Sequence, residues 1–301
     1  MIEGRSAARF LSEGIRSRKM PFGNHKVTMF RGRSPCGLIK AAKEHLTMDS
    51  WFTVEPIDAR TFAISEYKHR EEAHSYLLCG RDRALLIDTG LGVSDIRAVV
   101  DRLTDLPVTV ATTHAHWDHI GGHRYFDTVA AHTLERDWLS GRFPLPLSVV
   151  KRHLTEAPCD FPPDFDLNAY RIFQGGPQKL LHDGDLLELG ERTVRVLHTP
   201  GHSPGHCCFY EPERGYLFSG DLIYQGCLYA FYPTTDPVLF CRSVRRVRQY
   251  DIAKILPGHH TLDVPVSLIG KIESGWTRLE EAGQLYRGAG LFEFGSFQIR
   301  L

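Results

Sequence analysis

Three histidines and an aspartate fall within six residues of the string Thr113-His114-Ala115-His116-Trp117-Asp118-His119-Ile120-Gly121-Gly122. Imidazole nitrogens and carboxylate oxygens are the donors that zinc takes at about 2.0–2.2 Å. One tight loop cannot aim all four at a single ion. His114 and His116 alternate along extended backbone and can share an ion, whereas Asp118 and His119 lie beyond a bend and suit a second. The pair Gly121-Gly122 lets the backbone approach a neighbour without a Cβ clash. A lone His-x-His is a weak signal; His-x-His-x-Asp-His after an apolar strand and before Gly-Gly is a specific one.

Three more donors each follow an apolar run and a glycine: His202 in Thr199-Pro200-Gly201-His202, Asp221 after Leu217-Phe218-Ser219-Gly220, and His259 after Ile255-Leu256-Pro257-Gly258. Such placement predicts that all three point at one rim of a sheet structure. The motifs, in this order and over about residues 51–287, resemble those of the metallo-β-lactamase superfamily. The resemblance implies an α+β fold, the αββα four-layer sandwich of two mixed β-sheets flanked by helices. It also implies two Zn2+ ions, with iron or manganese as alternatives. By that match His114, His116 and His202 bind the first ion, Asp118, His119 and His259 bind the second, and Asp221 bridges both. The implied chemistry is attack by a metal-bridging hydroxide at neutral pH, with Asp118 steering the proton.

Other residues carry weaker signals. Asp88, in Leu86-Ile87-Asp88-Thr89-Gly90, resembles the family's structural aspartate, which would support a metal-bound imidazole. Tyr224 lies where lactone-hydrolysing relatives carry a tyrosine near the leaving group; a catalytic hydrogen bond to a developing oxyanion competes there with simple packing. His198 and His206 flank the His202 motif as supporting or strand residues, and His132, His153, His182 and His260 have no ligand context. The aromatic stretch Tyr229-Ala230-Phe231-Tyr232-Pro233 is a candidate pocket wall. Arg242, Arg245, Arg246 and Arg248 read as a solvated helix face, or as a landing site for an anionic substrate such as a coenzyme A ester.

The elements that must position these residues follow from apolar periodicity. Strands are expected near 52–57, 61–67, 74–79, 84–88, 108–113, 129–132, 186–189, 193–198, 206–210, 216–219 and 253–256. Helices are expected from a Ser94 cap to about Leu103, at about 133–139, at 236–250 and at 265–287. Strands precede helices twice over, which suits two sheets face to face with helices outside. Residues 141–180 carry six prolines and read as a lid insertion. The catalytic domain is placed at 48–301. Residues 1–47 form a basic N-terminal extension, disordered or non-native. Its Ile2-Glu3-Gly4-Arg5 resembles a protease-cleavage scar, and Met48 is an alternative native start.

Lys plus Arg equals Asp plus Glu at 36 each, which gives no general reason to expect nucleic acid or a membrane surface. Seven scattered cysteines without a Cys-x-x-Cys pair point to a reducing, cytoplasmic setting. The expected partner is a small-molecule substrate, with a homodimer as the assembly.

Among the superfamily's reactions, antibiotic hydrolysis is disfavoured because β-lactamases typically lack the bridging aspartate. Persulfide-oxidising relatives carry Gly-Cys-Gly-Arg, where this chain has Gly226-Cys227-Leu228-Tyr229. Glyoxalase II-type thioesterases share the ligands but add a helical domain that only the last helix approaches. Hydrolysis of a small lactone, ester or thioester remains, with a phosphodiesterase or an iron-dependent oxidoreductase as alternatives.

Overall fold

A computed structural model describes residues 51–301; the readings of residues 1–47 and of Met48 lie outside the described residues. The first sheet runs in plain sequence order: β1 (Thr53–Asp58), β2 (Thr61–Ser65), β3 (His74–Cys79), β4 (Ala84–Ile87), β5 (Val108–Ala111), β6 (Val129–His132) and β7 (Lys179–Leu181). Pairing is antiparallel from β1 to β4 and parallel from β4 to β7. The second sheet combines β8 (Leu186–Glu188), β9 (Thr193–His198), β10 (Cys207–Glu211) and β11 (Tyr216–Gly220) with β13 (Lys254–Pro257), which pairs parallel to β11. Both sheets are mixed, as expected. Six helices are described: α1 (Ile96–Leu103), α2 (Trp117–Ile120), α3 (Arg136–Leu139), α4 (Leu147–Leu154), α5 (Pro237–Val247) and α6 (Leu268–Glu281).

Strand β3 shows why these layers form. All six of its residues are buried, but they alternate between two cores. Tyr76 and Leu78 join Val196, Phe209 and Phe218 between the sheets. Leu77 and Cys79 face the other way, toward Ile96, Val99 and Val100 of α1. A third core packs Leu197, Cys208 and Leu217 against Phe240 and Val244 of α5 and Trp276 of α6. Three apolar interfaces separate four layers, which is the αββα sandwich. Each large side chain removed from water in this way stabilises by about 1.5–3 kcal/mol. Arg192 and Glu211 clamp the sheets as a buried bidentate pair at 2.7 Å. Arg192 also donates to Thr61 Oγ1 and to the Arg60 carbonyl.

Several local expectations change. Helix α1 is capped by Asp95, whose side chain accepts from Arg97 N and Ala98 N, rather than by Ser94; a carboxylate also complements the positive end of a helix. The final helix is shorter than 265–287 because Pro265 precedes its first turn and Gly283, at φ 68°, follows its last. The Pro-rich stretch holds a two-turn helix, α4, and is packed down: Val150, Leu154 and Tyr170 are buried. It is tied by Arg70 to Glu156 at 2.8 Å and by Tyr170 to the Leu91 carbonyl at 3.1 Å. A third sheet was not legible in the sequence. In it β15 (Gln298–Arg300) lies between β12 (Cys227–Tyr229) and β14 (Leu291–Glu293). Three-residue strands are too short to display a period. Among the described residues, no helix is long and apolar enough to cross a membrane.

Candidate metal centre

Each donor named from sequence sits past the C-terminal end of a strand. β4 ends before Asp88, β5 before the His114–His119 loop, β9 before His202, β11 before Asp221 and β13 before His259. Parallel pairing of β4 with β5 and of β11 with β13 aligns these ends, and β9 runs the same way as β11 because both are antiparallel to β10. Two glycines permit the convergence. A Cβ on Gly258 would stand 2.7 Å from Asp221 Oδ1, and one on Gly121 would stand 2.2 Å from the Leu91 carbonyl carbon.

The structure brings all seven predicted ligands together. His116 Nδ1 is 3.0 Å from His114 Nε2 and 2.9 Å from His202 Nε2. On the other side, His119 Nε2 and His259 Nε2 are 3.1 Å apart, with Asp118 Oδ2 at 3.9 and 3.6 Å from them. Asp221 lies between the two groups. Its Oδ2 is 3.3 Å from His202 Nε2 and its Oδ1 is 3.2 Å from His119 Nε2 and 3.3 Å from His259 Nε2. Two groups of three donors result, joined by a third made of His114, His119 and Asp221.

The outward nitrogens explain the inward ones. His119 Nδ1 donates to Asp88 Oδ2 at 2.9 Å, His259 Nδ1 to the Glu71 carbonyl at 2.7 Å and His202 Nδ1 to the Tyr229 carbonyl at 3.1 Å. Thr113 Oγ1 donates to Asp88 Oδ2 and accepts from His114 Nδ1. A ring that spends its N–H outward offers a lone pair inward, as a metal ligand must. Asp221 Oδ1 is buried without an aligned hydrogen-bond partner, although two ring nitrogens lie near it. Converging lone pairs of this kind repel unless a cation lies among them. The donor set therefore fits divalent metal.

The electrostatics agree. Burial and neighbouring imidazoles hold His114 and His116 well below 6.5. Burial acts against charge on His259 too, but Asp221 outweighs it and lifts that ring to about 9. His119 is likewise raised against burial, by Asp221 and Asp118. Asp221 stays ionised despite burial because His259, His119, His202 and His114 surround it, and burial lifts Asp118 to about 6. The cluster attracts positive charge, so metal and protons compete for it.

Supporting residues were partly missed from sequence. Glu135, buried, accepts from Ala115 N at 2.9 Å, Ser203 Oγ at 2.7 Å and Gly205 N at 2.6 Å. It thereby locks the His114–His119 loop to the His202 loop. The string Gly201-His202-Ser203-Pro204-Gly205 has the spacing of a serine nucleophile elbow, but the Ser203 hydroxyl is buried and committed to Glu135. His206 accepts from Asp221 N at 3.1 Å. Asp88, at φ 58°, holds both Thr113 and His119.

The cluster opens into a cavity of about 450 Å³ lined by Phe143, Pro144 and Leu145 of the Pro-rich stretch and by Tyr229, Phe231 and Tyr232. Tyr224 lines it too, yet its hydroxyl donates to the Cys227 carbonyl. His153 and His260 line the cavity without joining a donor group, and His132 instead stacks on His198 at 4.0 Å. Three arginines of the basic stretch on and just after α5 are paired with acids: Arg245 with Glu280 at 2.6 Å, Arg246 with Asp183 at 2.7 Å, and Arg248 with Glu273.

Residues 70–259 match the family described as the metallo-beta-lactamase superfamily. The acyl-coenzyme A thioesterase MBLAC2 of Gallus gallus is 31% identical over 229 residues, 70% of this chain and 82% of the relative. A hydroxyacylglutathione hydrolase of Trichodesmium erythraeum (strain IMS101) is 28% identical over 44% of each chain. A metallo-beta-lactamase from Pontibacter korlensis shares the fold with a TM-score of 0.55 at 19% identity, over 75% of this chain and 99% of that one.

Proposed function

Starting from the premise that the chain belongs to the metallo-beta-lactamase superfamily and is a metal-dependent hydrolase, we propose that it hydrolyses acyl thioesters with two zinc ions. The observation that carries this reading is Asp221, which turns one carboxylate oxygen toward His202 and the other toward His119 and His259. His114, His116 and His202 would hold one ion, Asp118, His119 and His259 the other, with Asp221 shared. Imidazole-rich sites with carboxylates suit zinc, although iron and manganese accept similar donors. Bound there, such ions supply Lewis acidity that brings the pKa of water toward neutrality and polarises a carbonyl.

The chain's own residues do the rest. Asp118 lines the cavity and would take up a proton beside the reacting carbonyl. Phe143 and Leu145 offer an apolar bed for an acyl chain, and Tyr229, Phe231 and Tyr232 add aromatic lining to the same cavity. A cavity walled in this way excludes water around the scissile bond and favours an acyl substrate with an apolar portion. Thioesters are preferred over lactones because two relatives are named for thioester hydrolysis, of acyl-coenzyme A and of hydroxyacylglutathione.

The test is metal analysis followed by initial rates on a matched thioester, lactone and phosphodiester, with Asp118→Ala alongside. The expected result is two zinc equivalents and a thioester preference that the variant abolishes. A phosphodiester preference, or turnover only with iron, would overturn it.

A further inference from the structure

Arg70 and Arg300 both line the cavity, but only Arg70 is neutralised. It pairs with Glu71 at 3.0 Å and with Glu156 at 2.8 Å. Among the described residues no carboxylate pairs with Arg300. Its guanidinium lies over the Phe231 ring, 4.6 Å from the centroid, and a guanidinium stacked in this way keeps its edge N–H donors free for a bidentate partner. Arg300 is exposed while lining the cavity, so it stands at the mouth.

The third sheet makes this position rigid. Arg300 is paired with Tyr229 in register, and its carbonyl accepts from Ala230 N at 2.8 Å. Ile299 and Leu301, on either side, are buried in the core under α5 and α6. The same Tyr229 holds the Nδ1 of His202 through its carbonyl. One strand pair therefore fixes the arginine relative to the histidine cluster. Residues 291–301 lie beyond the segment that matches the family.

We propose that Arg300 binds an anionic group, phosphate or carboxylate, on the thiol arm of the substrate. The inference rests on the thioester reading of the site. A thioester has two arms; the apolar side chains of the Pro-rich stretch suit the acyl arm, and an exposed cation at the mouth suits an arm that stays hydrated. Selectivity then comes from the thiol that carries the acyl group, not from the acyl group alone.

Arg300→Leu tests this, because Ile299 and Leu301 keep their anchors, and Arg300→Lys retains a charge without the fork. Butyryl thioesters of coenzyme A, glutathione and the neutral N-acetylcysteamine are compared on the zinc-loaded protein. Binding of desulfo-coenzyme A and S-methylglutathione is measured by calorimetry. The expected result is a roughly tenfold rise in KM and Kd for one charged probe in Arg300→Leu, with kcat nearly unchanged. Arg300→Lys should restore part of it, and the N-acetylcysteamine ester should be unaffected. Loss confined to the coenzyme A pair identifies phosphate; loss confined to the glutathione pair identifies carboxylate. Equal losses on the neutral ester, or no change on either charged probe while thioesters turn over, would overturn the proposal and leave the thioester reading standing. Arginine-dependent binding without any thioester hydrolysis would overturn the thioester reading instead.

Discussion

Replacing Asp221 with asparagine keeps the size of the side chain and removes the charge at the centre of the cluster. In the metal-free protein Asp221 is the leading reason why His259 is raised from 6.5 to about 9 against its own burial. A rise of that extent corresponds to about 3 kcal/mol of differential interaction. The sign follows from linkage: a ring whose pKa is higher in the folded state stabilises fully below the unfolded value of 6.5. That stabilisation is lost as pH climbs through about 9. About 2 kcal/mol of it should disappear between pH 7 and pH 9, or roughly 3–4 °C in Tm for a chain of this size. Imidazoles held below 6.5, such as His114 and His116, titrate outside that window, whereas His119, raised largely by the same carboxylate, adds a loss of the same sign. Thermal unfolding of chelator-treated protein across pH 7–9 reads the effect, as the difference between wild type and Asp221→Asn, which cancels the tyrosines and thiols common to both. The variant should lose the slope and bind at least one metal equivalent fewer. An unchanged slope, or two ions held as tightly as by the wild type, would refute both the electrostatic account and the bridging role.

Two further perturbations are informative. Asp88→Asn is compatible with the positive φ of 58°, since asparagine tolerates that region, but it weakens the hold on His119 Nδ1. Metal affinity measured by chelator competition should fall about 10- to 100-fold while the fold is retained; unchanged affinity would show that Asp88 only supports the turn. Because the Tyr224 hydroxyl is committed to the Cys227 carbonyl, Tyr224→Phe should cost about 1 kcal/mol of stability and less than about tenfold in kcat. A larger fall in kcat at constant KM would instead place that hydroxyl at the reacting oxygen.

The ligand chemistry was legible because metal sites are written in residue types. Imidazoles and carboxylates directly after apolar strands and glycines have few other uses, so residue type and spacing single out all seven side chains that the fold brings together as candidate ligands. The layered fold was legible because most strands of its two main sheets are four to six residues long and most of its main helices eight or more, long enough to show a period. What failed was short or hidden among breakers: the three-residue strands β7, β12, β14 and β15, the eight-residue α4 inside a proline-rich stretch, and the choice of Asp95 over Ser94 as cap.

The support of the site was less legible, for a physical reason. His259 and His202 are oriented by the carbonyls of Glu71 and Tyr229, and every residue has a carbonyl, so no residue type marks the position. Glu135 could not be told from any other glutamate until folding buried it against Ala115, Ser203 and Gly205. The same holds for charge. Four arginines on and just after α5 read in sequence as a solvated helix face or as an anion site, and folding pairs three of them with acids. Arg300, unremarkable near the end of the chain, is the cation that folding leaves at the cavity mouth without a carboxylate partner among the described residues. Sequence determines which donors a chain can offer, because chemistry resides in side-chain type. Only the tertiary structure decides which of them face one another, which are neutralised and which remain free, because those are matters of distance across strands far apart along the chain.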